Sequence, residues 1–464
     1  MSSQTKITVI GAGSAVFGPP TIVGILKNPD LRGVELFLHD INAQGLEKIH
    51  ALAEKLNTNF SAEARIRSST NREEALDGAD FVILSIAVDR EECWKLDREI
   101  ALKYGINHYA ENGGPGSFAH TARNLSVIMP ILRDMEKYCP NAWLLNFTNP
   151  VPKICTAAAR YTKIKTIGIC HQIQFGYFIL AGLFAEELGL KIPKDFNFRW
   201  NDQSIALFRL MSKKARERFF IRAFGLNHFT WMLSVTERET GKDLYPEIRE
   251  RVPKIRKTLP SFEPLTMEVF EVFGLLPVPG DCHLCEYLPY THNVHRKTWE
   301  RYDIQMYDFE WAKRGRERMW EEIERAVQGE IPLSRFEELE TERGEFIIAG
   351  ILRNLNAYEE AVNIANSGYI PNLPEGAIVE VPALLGSEGP VGLGGGKLPE
   401  PIAELCRRQI LITELMVRAI VEEDRKLALE ALALDPMIDD LEVARKILEE
   451  YLTTFAPYLA FKLH

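Results

Sequence analysis

Residues 142–175, AWLLNFTNPVPKICTAAARYTKIKTIGICHQIQF, decide how this chain folds, because they hold two apolar runs that each end in chemically useful side chains. We predict buried strands at 142–147 and 165–170. The first leads into an Asn-Pro pair, and the second ends at Cys170 and His171. In open α/β sheets, ligands bind beyond the carboxyl ends of the strands. The structural alternatives are a helix-capping asparagine and a small buried cysteine.

The N-terminal segment predicts a dinucleotide site. An apolar strand runs into GAGS, residues 11–14, an apolar helical stretch follows, and a second strand ends at Asp40. Gly11 would permit the tight turn and Gly13 the close approach of a pyrophosphate, while the helix N-terminus after Ser14 would supply N–H donors. Asp40 would accept hydrogen bonds from ribose hydroxyls and repel a 2′-phosphate, so we predict NAD rather than NADP.

A further buried strand at 79–86 would place Ser85 beside this cofactor site. The glycine-rich loop ENGGPGS, residues 111–117, precedes a predicted helix at 119–137. It could be a flexible connection or a backbone cradle for a substrate or the nicotinamide. Strands alternate with helical patterns through Cys170, which predicts a doubly wound sheet with right-handed crossovers.

The sequence pattern changes after about residue 195. We predict strands at 196–210 and 219–224, with an exposed turn at 212–218 between them. The expected fold is α/β in two parts. A Rossmann-like NAD-binding domain spans 1–195, and a mixed α+β domain for substrate binding and oligomerisation spans 196–464.

Composition limits the classes of function. The chain has 464 residues, of which 46% are hydrophobic and 26% charged, as in ordinary globular proteins. Its net charge of −10 argues against a general affinity for nucleic acid or anionic membranes. We find no membrane-spanning apolar run and no signal-peptide pattern, and seven scattered cysteines fit reduced thiols. We therefore expect a cytoplasmic protein without nucleic-acid or membrane partners.

Two motifs in the C-terminal half carry chemistry. LNHFTW places His228 at the end of an apolar strand, where a single histidine is more often structural than a ligand. GDCHLCEYLP, residues 280–289, brings Asp281, His283 and Tyr287 into one short segment. Its CxxC spacing has no second pair at zinc-finger spacing, which argues against a structural zinc.

The motifs GAGS, NFTNP, CH, LNHFTW and GDCHLCEYLP, in this order and with the later EGAIVEVPALL, resemble glycoside hydrolase family 4 along essentially the whole chain. The resemblance implies that NAD takes a hydride from sugar C3, a base removes the C2 proton and the glycosidic oxygen leaves; water then adds and the steps reverse. It also implies a divalent metal, usually manganese, with ligands that map onto Cys170 and His228. A substrate-binding asparagine maps onto Asn149.

Differences within the family leave the identity of the base open. His171, directly after the metal cysteine, resembles the branch that acts on unphosphorylated α-glycosides, and we include it among the catalytic candidates. The tyrosine that is the proposed base of the phospho-sugar branch aligns with His283. We favour Asp281 together with His283 as the base, and Tyr287 lies nearby.

The motifs around His228 and His283 look most like those of α-galacturonidases, so the predicted substrate is an α-galacturonide. Its carboxylate needs a cation, which Arg296 or Lys297 could supply. The alternatives within the family are α-glucuronidase, α-galactosidase and α-glucosidase activity, and the alternative from another class is an NAD-dependent hydroxy-acid dehydrogenase. We expect a homodimer or homotetramer, with the C-terminal helical pattern at 440–455 as packing or oligomer surface.

Overall fold

One mixed sheet of eleven strands runs through residues 4–464, the part of the chain that this computed structural model describes. In chain order the strands are β1 (Lys6–Ile10), β2 (Glu35–His39), β3 (Arg65–Ser69), β4 (Phe81–Leu84), β5 (Trp143–Asn146), β6 (Lys165–Gly168), β7 (Phe219–Leu226), β8 (Phe229–Glu237), β9 (Ala357–Ala365), β10 (Ile378–Gly386) and β11 (Gly389–Gly392). Their order across the sheet is β3-β2-β1-β4-β5-β6-β9-β10-β7-β8, and β11 pairs with β10.

The first six strands are all parallel, which confirms the predicted doubly wound sheet. Parallel strands that are covered by helices on both faces read as continuous apolar runs rather than alternating ones. Strands β1 and β4, with the sequences KITVI and FVIL, are buried at every position. The carboxyl ends of these strands form one edge, at which the predicted chemistry should collect.

The sheet continues without a break into the second half of the chain. Strand β9 pairs antiparallel with β6 through Gly168 and Asn363, and β10, β7 and β8 follow by antiparallel pairing. Within the sheet, β7 therefore connects to the parallel strands through β9 and β10, and it also packs against the helix Ile173–Leu183. The domain boundary at residue 195 stays a prediction.

The helices cover both faces of the sheet and build the C-terminal half. They are α1 (Gly18–Lys27), α2 (Ala43–Phe60), α3 (Arg72–Leu76), α4 (Arg90–Lys103), α5 (Gly116–Tyr138), α6 (Val151–Tyr161), α7 (Ile173–Leu183), α8 (Asp202–Arg218), α9 (Tyr245–Thr258), α10 (Pro264–Phe273), α11 (Gly280–Leu284), α12 (Thr298–Arg301), α13 (Phe309–Gln328), α14 (Ser334–Glu337), α15 (Gly344–Leu352), α16 (Glu400–Val421), α17 (Arg425–Leu434) and α18 (Leu441–Thr454). Short 3₁₀ turns occur at Pro29–Leu31, Val294–Arg296 and Ala456–Tyr458. Within residues 4–464, every helix is too short or too polar to cross a bilayer.

The strand predicted at 196–210 is wrong. The Asn201 side chain accepts a hydrogen bond from the Ser204 backbone N–H at 2.8 Å and so caps the start of α8. The side chains that α8 buries then follow a helical spacing rather than alternation. The turn expected at 212–218 is the end of the same helix, whereas the strand expected after it is β7.

A buried ion pair ties α4 to α5. Arg123 donates to the two carboxylate oxygens of Asp97 at 2.6 and 2.7 Å, and both side chains are almost fully buried. The Arg123 guanidinium lies 4.1 Å from the ring centroid of Phe455, and the Tyr451 hydroxyl donates to the Asp97 carbonyl at 2.8 Å. The pair thus anchors the C-terminal helix α18 against the N-terminal half.

We predict that Asp97→Ala lowers the free energy of unfolding by about 3–5 kcal/mol, because it leaves the Arg123 charge buried and unpaired. Chemical denaturation followed by circular dichroism measures this change. Glu430→Ala, which removes an exposed partner of Lys426, is the control and should stay within about 0.5 kcal/mol of the parent. Equal effects of the two substitutions would contradict the prediction.

Candidate active site

A cavity of about 240 Å³ lies beyond the carboxyl ends of β5 and β6 and is bordered on another side by the turn between β7 and β8. It is lined by Phe17, Arg90, Tyr109, Glu111, Phe147, Asn149, Ile169, Cys170, His171, Gln172, Phe175, Trp200, His228, His283, Tyr307 and Glu342. Five of the residues predicted from sequence are therefore brought together here: Asn149, Cys170, His171, His228 and His283.

Cys170 and His228 form the centre of this cavity. Cys170 follows β6, and His228 stands in the two-residue turn that joins β7 to β8. The Cys170 Sγ atom lies 3.2 Å from His228 Nε2. A thiolate sulfur lies about 2.3 Å from a bound metal ion, and an imidazole nitrogen about 2.0–2.1 Å. If the angle between these two bonds is a right angle, the sulfur and the nitrogen are about 3.1 Å apart. The pair is therefore spaced as two ligands of one metal ion would be.

The surroundings of this pair favour its neutral form when no cation is present. Burial raises the pKa of the Cys170 thiol well above its ordinary value. Burial, and then the nearby His283 and His171, lower the pKa of His228 well below its ordinary value. A metal ion would reverse the preference of the thiol, because coordination deprotonates it. Within residues 4–464, no group of three or more His, Cys, Asp or Glu side chains is arranged to hold a metal ion, so the candidate metal site rests on this pair.

Glu380 on β10 holds the segments that carry both candidate ligands. Its buried carboxylate accepts hydrogen bonds from Gln172 at 2.7 Å, Asn227 at 2.8 Å and Asn363 at 2.9 Å. Gln172 follows the Cys-His pair, and Asn227 precedes His228. Burial raises the pKa of Glu380, and the three amide donors oppose this effect. We did not predict Glu380 from sequence, although it lies within the EGAIVEVPALL motif.

His283 on α11 stacks on His228, with ring centroids 4.5 Å apart and an interplanar angle of 24°. Its Nδ1 lies 3.0 Å from Glu286 Oε1. If Nδ1 carries the hydrogen and donates it to Glu286, the Nε2 of His283 can accept a proton. His283 is thus held in position on one face and through one nitrogen, and its second nitrogen has no such bond.

The ENGGPGS loop is neither a flexible connection nor a free cradle. The backbone N–H groups of Glu111, Asn112 and Gly113 all donate to one oxygen of the buried Glu286, at 2.9, 2.5 and 3.2 Å. A Cβ atom at position 113 would lie 2.3 Å from the Glu286 carbonyl oxygen, so glycine is required there. The loop's contribution to the cavity is the side chain of Glu111.

His171 is paired with Glu342, which sequence reasoning missed. The His171 Nδ1 atom contacts the Glu342 carboxylate, and the negative charge of Glu342 raises the pKa of His171. Glu342 precedes α15 in a segment that reads as an ordinary charged surface. No motif in the sequence distinguishes it from the other acidic residues nearby.

Asp281 and Tyr287 do not line the cavity. Both carboxylate oxygens of Asp281 accept backbone N–H groups at the start of α10, from Leu265 at 2.9 Å and Thr266 at 2.7 Å. The Tyr287 hydroxyl donates to the carbonyl of Asn227 at 3.2 Å. Of the three candidate bases, only His283 borders the cavity.

Arg296 does not line the cavity either. It borders a different surface depression of about 370 Å³, together with Glu268 and Arg301. Lys297 borders neither of these two hollows. The arginine that the cavity does contain is Arg90, at the start of α4.

The residues predicted to bind the cofactor meet at the carboxyl ends of β1, β2 and β4. The Gly13 backbone N–H donates to the Asp40 carboxylate at 2.8 Å. A Cβ atom on Gly11, whose φ is +92°, would lie 1.8 Å from the carbonyl oxygen of Ser85. Ser14 Oγ accepts the backbone N–H of Phe17 at 3.2 Å, just before α1. Two glycines, a helix start and an acidic residue at the second strand fit a dinucleotide.

The sequence matches the model of the family 4 glycosyl hydrolases over residues 6–181 and the model of their C-terminal domain over residues 223–438. The chain belongs to this family. It is therefore a glycosidase, and the dehydrogenase alternative is not retained. The family match also agrees with the motifs from which we inferred the resemblance.

Relatives of this glycosidase carry different activities. An α-glucosidase of Erwinia rhapontici is 30% identical over 98% of this chain and 99% of its own length. An α-galactosidase of Bacillus subtilis is 30% identical over 93% of each chain. An α-galacturonidase of the same organism is 26% identical over 94% of each chain. Sequence identity therefore does not decide to which branch of the family this glycosidase belongs.

Solved structures of similar proteins share the fold of this glycosidase. The crystal structure of the LplD protein of Bacillus subtilis has a TM-score of 0.81 and 25% identity, covering 97% of this chain and 100% of its own. The 6-phospho-β-glucosidase of Thermotoga maritima, solved with manganese, NAD⁺ and glucose-6-phosphate, has a TM-score of 0.75 and 22% identity, covering 99% of this chain and 100% of its own.

We predict that Glu380→Gln lowers the free energy of unfolding by about 1–3 kcal/mol, because the new amide cannot accept all three buried hydrogen bonds. Thermal and chemical denaturation measure the loss. Glu375→Gln, an exposed carboxylate just before β10, is the matched control and should be neutral. A Glu380→Gln variant as stable as this control would show that the three amide bonds do not hold the site together.

Proposed function

We propose that this glycosidase hydrolyses unphosphorylated α-glycosides by an NAD- and metal-dependent elimination. The observation that carries the proposal is the Cys170–His228 pair, 3.2 Å apart in a cavity at the edge of a dinucleotide-type sheet. A soft thiolate and an imidazole suit a divalent transition metal and leave its other positions to the substrate. Manganese, which a similar solved glycosidase contains, is the ion we propose.

NAD is the proposed redox cofactor, with Gly11, Gly13, Ser14, Asp40 and Ser85 as its binding residues. The Asp40 carboxylate beside the Gly13 amide supports NAD over NADP, because a 2′-phosphate would meet a negative charge there. When held by these residues, NAD would supply a hydride acceptor and donor for chemistry at sugar C3, and a divalent ion held by Cys170 and His228 would supply Lewis-acid activation of the sugar.

His283 is the proposed base that removes the proton from sugar C2. Its contact with Glu286 leaves Nε2 to take this proton, and its stacking on His228 keeps it beside the candidate metal ligands. We no longer favour Asp281, because two backbone amides occupy its carboxylate.

His171 is the proposed proton donor to the departing glycosidic oxygen. Its pairing with Glu342 supports a role as an acid, since the carboxylate stabilises the imidazolium. Asn149 lines the same cavity and is the proposed substrate-binding amide. Its side chain can hydrogen-bond a sugar hydroxyl and hold the ring against His283.

The preference for an unphosphorylated substrate is supported by the residues of the cavity. A phosphate is usually bound by several arginine or lysine side chains. Among the described residues, Arg90 is the one arginine or lysine that lines the cavity. The α-glucosidase, α-galactosidase and α-galacturonidase relatives keep glucosides, galactosides and galacturonides as candidate substrates. A homo-oligomeric state and a cytoplasmic location stay predictions.

We predict that Cys170→Ser weakens the binding of Mn²⁺ at least about ten-fold while the fold is kept, because a serine hydroxyl is a poorer ligand than a thiolate. Titration of the protein with Mn²⁺, followed by electron paramagnetic resonance, measures binding independently of activity. His228→Ala should behave alike, whereas Cys155→Ser, a buried cysteine outside the cavity, should not change binding. Parent-like affinity in both site variants would refute the metal assignment.

Hydrolysis in deuterated water should place deuterium at C2 of the released sugar, because the proposed base exchanges the C2 proton with solvent. Mass spectrometry and proton NMR of the product measure this exchange. Direct displacement at C1 never touches the C2 proton, so product without deuterium at C2 would defeat the elimination. Absorbance at 340 nm provides the second measurement. NADH should stay far below product, since each hydride is returned, and one NADH per product would show that the hydride is not returned.

A further inference from the structure

The cavity contains a charged pair that the proposed mechanism does not use. Arg90 Nη2 lies 3.4 Å from Glu111 Oε1. The same Glu111 oxygen accepts a hydrogen bond from Asn149 Nδ2 at 3.1 Å. The pair therefore lies directly beside the proposed substrate-binding amide, where it would meet the sugar.

Both members of this pair are held in place. The Arg90 guanidinium lies 5.1 Å from the ring centroids of Trp94 and of Tyr307, so two aromatic rings position it. Glu111 is 5% exposed in its side chain, and its backbone N–H is bonded to Glu286. Neither charge can turn towards a new partner without losing these contacts.

The balance of charge in the cavity matters for the substrate. Among the residues that the structure describes, the positive charge of Arg90 is the one lysine or arginine charge in the lining, and Glu111 neutralises it. The other lining carboxylate, Glu342, is paired with His171. A substrate carboxylate that approached Arg90 would also approach the buried Glu111, whose repulsion is little screened by solvent.

An uncharged sugar fits the pair better. Each hydroxyl group donates one hydrogen bond and accepts others. The pair presents guanidinium N–H donors and a carboxylate acceptor side by side, which matches the C6 hydroxyl of a hexoside together with a nearby ring hydroxyl. Leaving the buried Glu111 carboxylate without a hydrogen-bond donor costs more than losing a single apolar contact.

We propose that the Arg90–Glu111 pair makes this enzyme selective for uncharged α-hexosides over the corresponding uronides. The inference rests on the proposed function and narrows its substrate class. It also replaces our sequence-based expectation of an α-galacturonide, for which Arg296 was the expected cation. The negative charge of Glu111 is the feature that excludes the uronide.

The test compares 4-nitrophenyl α-galactoside with the α-galacturonide, which differ only at C6, using the enzyme with NAD, Mn²⁺ and thiol. The parent should have a kcat/KM at least about ten-fold higher for the galactoside. Glu111→Gln keeps the length of the side chain and removes its charge. The ratio of kcat/KM for the galactoside to kcat/KM for the galacturonide should therefore fall at least about ten-fold. The same measurement with glucoside and glucuronide repeats the comparison.

Glu342→Gln is the matched control, because it removes the other carboxylate of the cavity. It should lower both rates and leave their ratio unchanged. A parent enzyme that prefers the uronide to its uncharged partner would overturn the proposal. The proposal would also be overturned if Glu111→Gln left the ratio of the two kcat/KM values unchanged, or if this ratio fell equally in Glu111→Gln and Glu342→Gln.

The binding of free sugars can also be measured in variants that no longer turn over substrate. Calorimetry of galactose and galacturonate with the holoenzyme should give a preference for galactose that Glu111→Gln reduces, and a preference for galacturonate in the parent would refute the pair's role. The proposed function fails in a different way, through the absence of glycoside hydrolysis or of deuterium at C2, and the binding comparison does not depend on either.

Discussion

The buried carboxylate of Glu286 is the constraint on which the rest of the cavity depends. It is fully buried, and it joins the three backbone amides of the ENGGPGS loop to the ring of His283. A buried charge is tolerated only when hydrogen bonds replace its water. The loop amides lie 173 to 175 positions from Glu286 in the sequence, whereas His283 is three positions away. The hydrogen bonds of Glu286 therefore fix Glu111 on one side of the cavity and His283 on the other.

The same logic recurs at Glu380, which gathers three side-chain amides from separate elements. Together the two carboxylates hold both walls of the cavity while contributing no lining surface themselves. Lining residues such as Glu111 and His283 are therefore positioned by a carboxylate that lies outside the lining. Supporting hydrogen bonds of this kind hold functional side chains in one geometry.

The parallel sheet and much of the cavity could be predicted from the sequence. A continuous apolar run identifies a strand such as β4, and the residues directly after parallel strands must meet at one edge. The strand prediction failed at 196–210, a segment that begins with Phe196, Phe198 and Trp200. These rings instead pack in an aromatic cluster before α8 begins.

The site residues that were missed or misplaced also have physical explanations. In the sequence, the buried Glu286 and Glu380 and the partly exposed Glu342 look like ordinary surface charges, because only the fold supplies their donors. Asp281 and His283 are two positions apart, and residues at that spacing on a helix do not share a face. Proximity in the sequence therefore suggested a pair that α11 separates.

The path of the sheet also sets an order of assembly. Cys170 and His228 are only 58 positions apart, yet within the sheet β7 joins the parallel strands through β9 and β10. The continuous sheet that connects the two segments is therefore complete only when the chain to Gly386, the end of β10, has folded. The contacts of the nucleotide half are nearer in sequence and can form earlier. The candidate metal site thus sits on a sheet whose linking strands come from much later in the chain than either ligand.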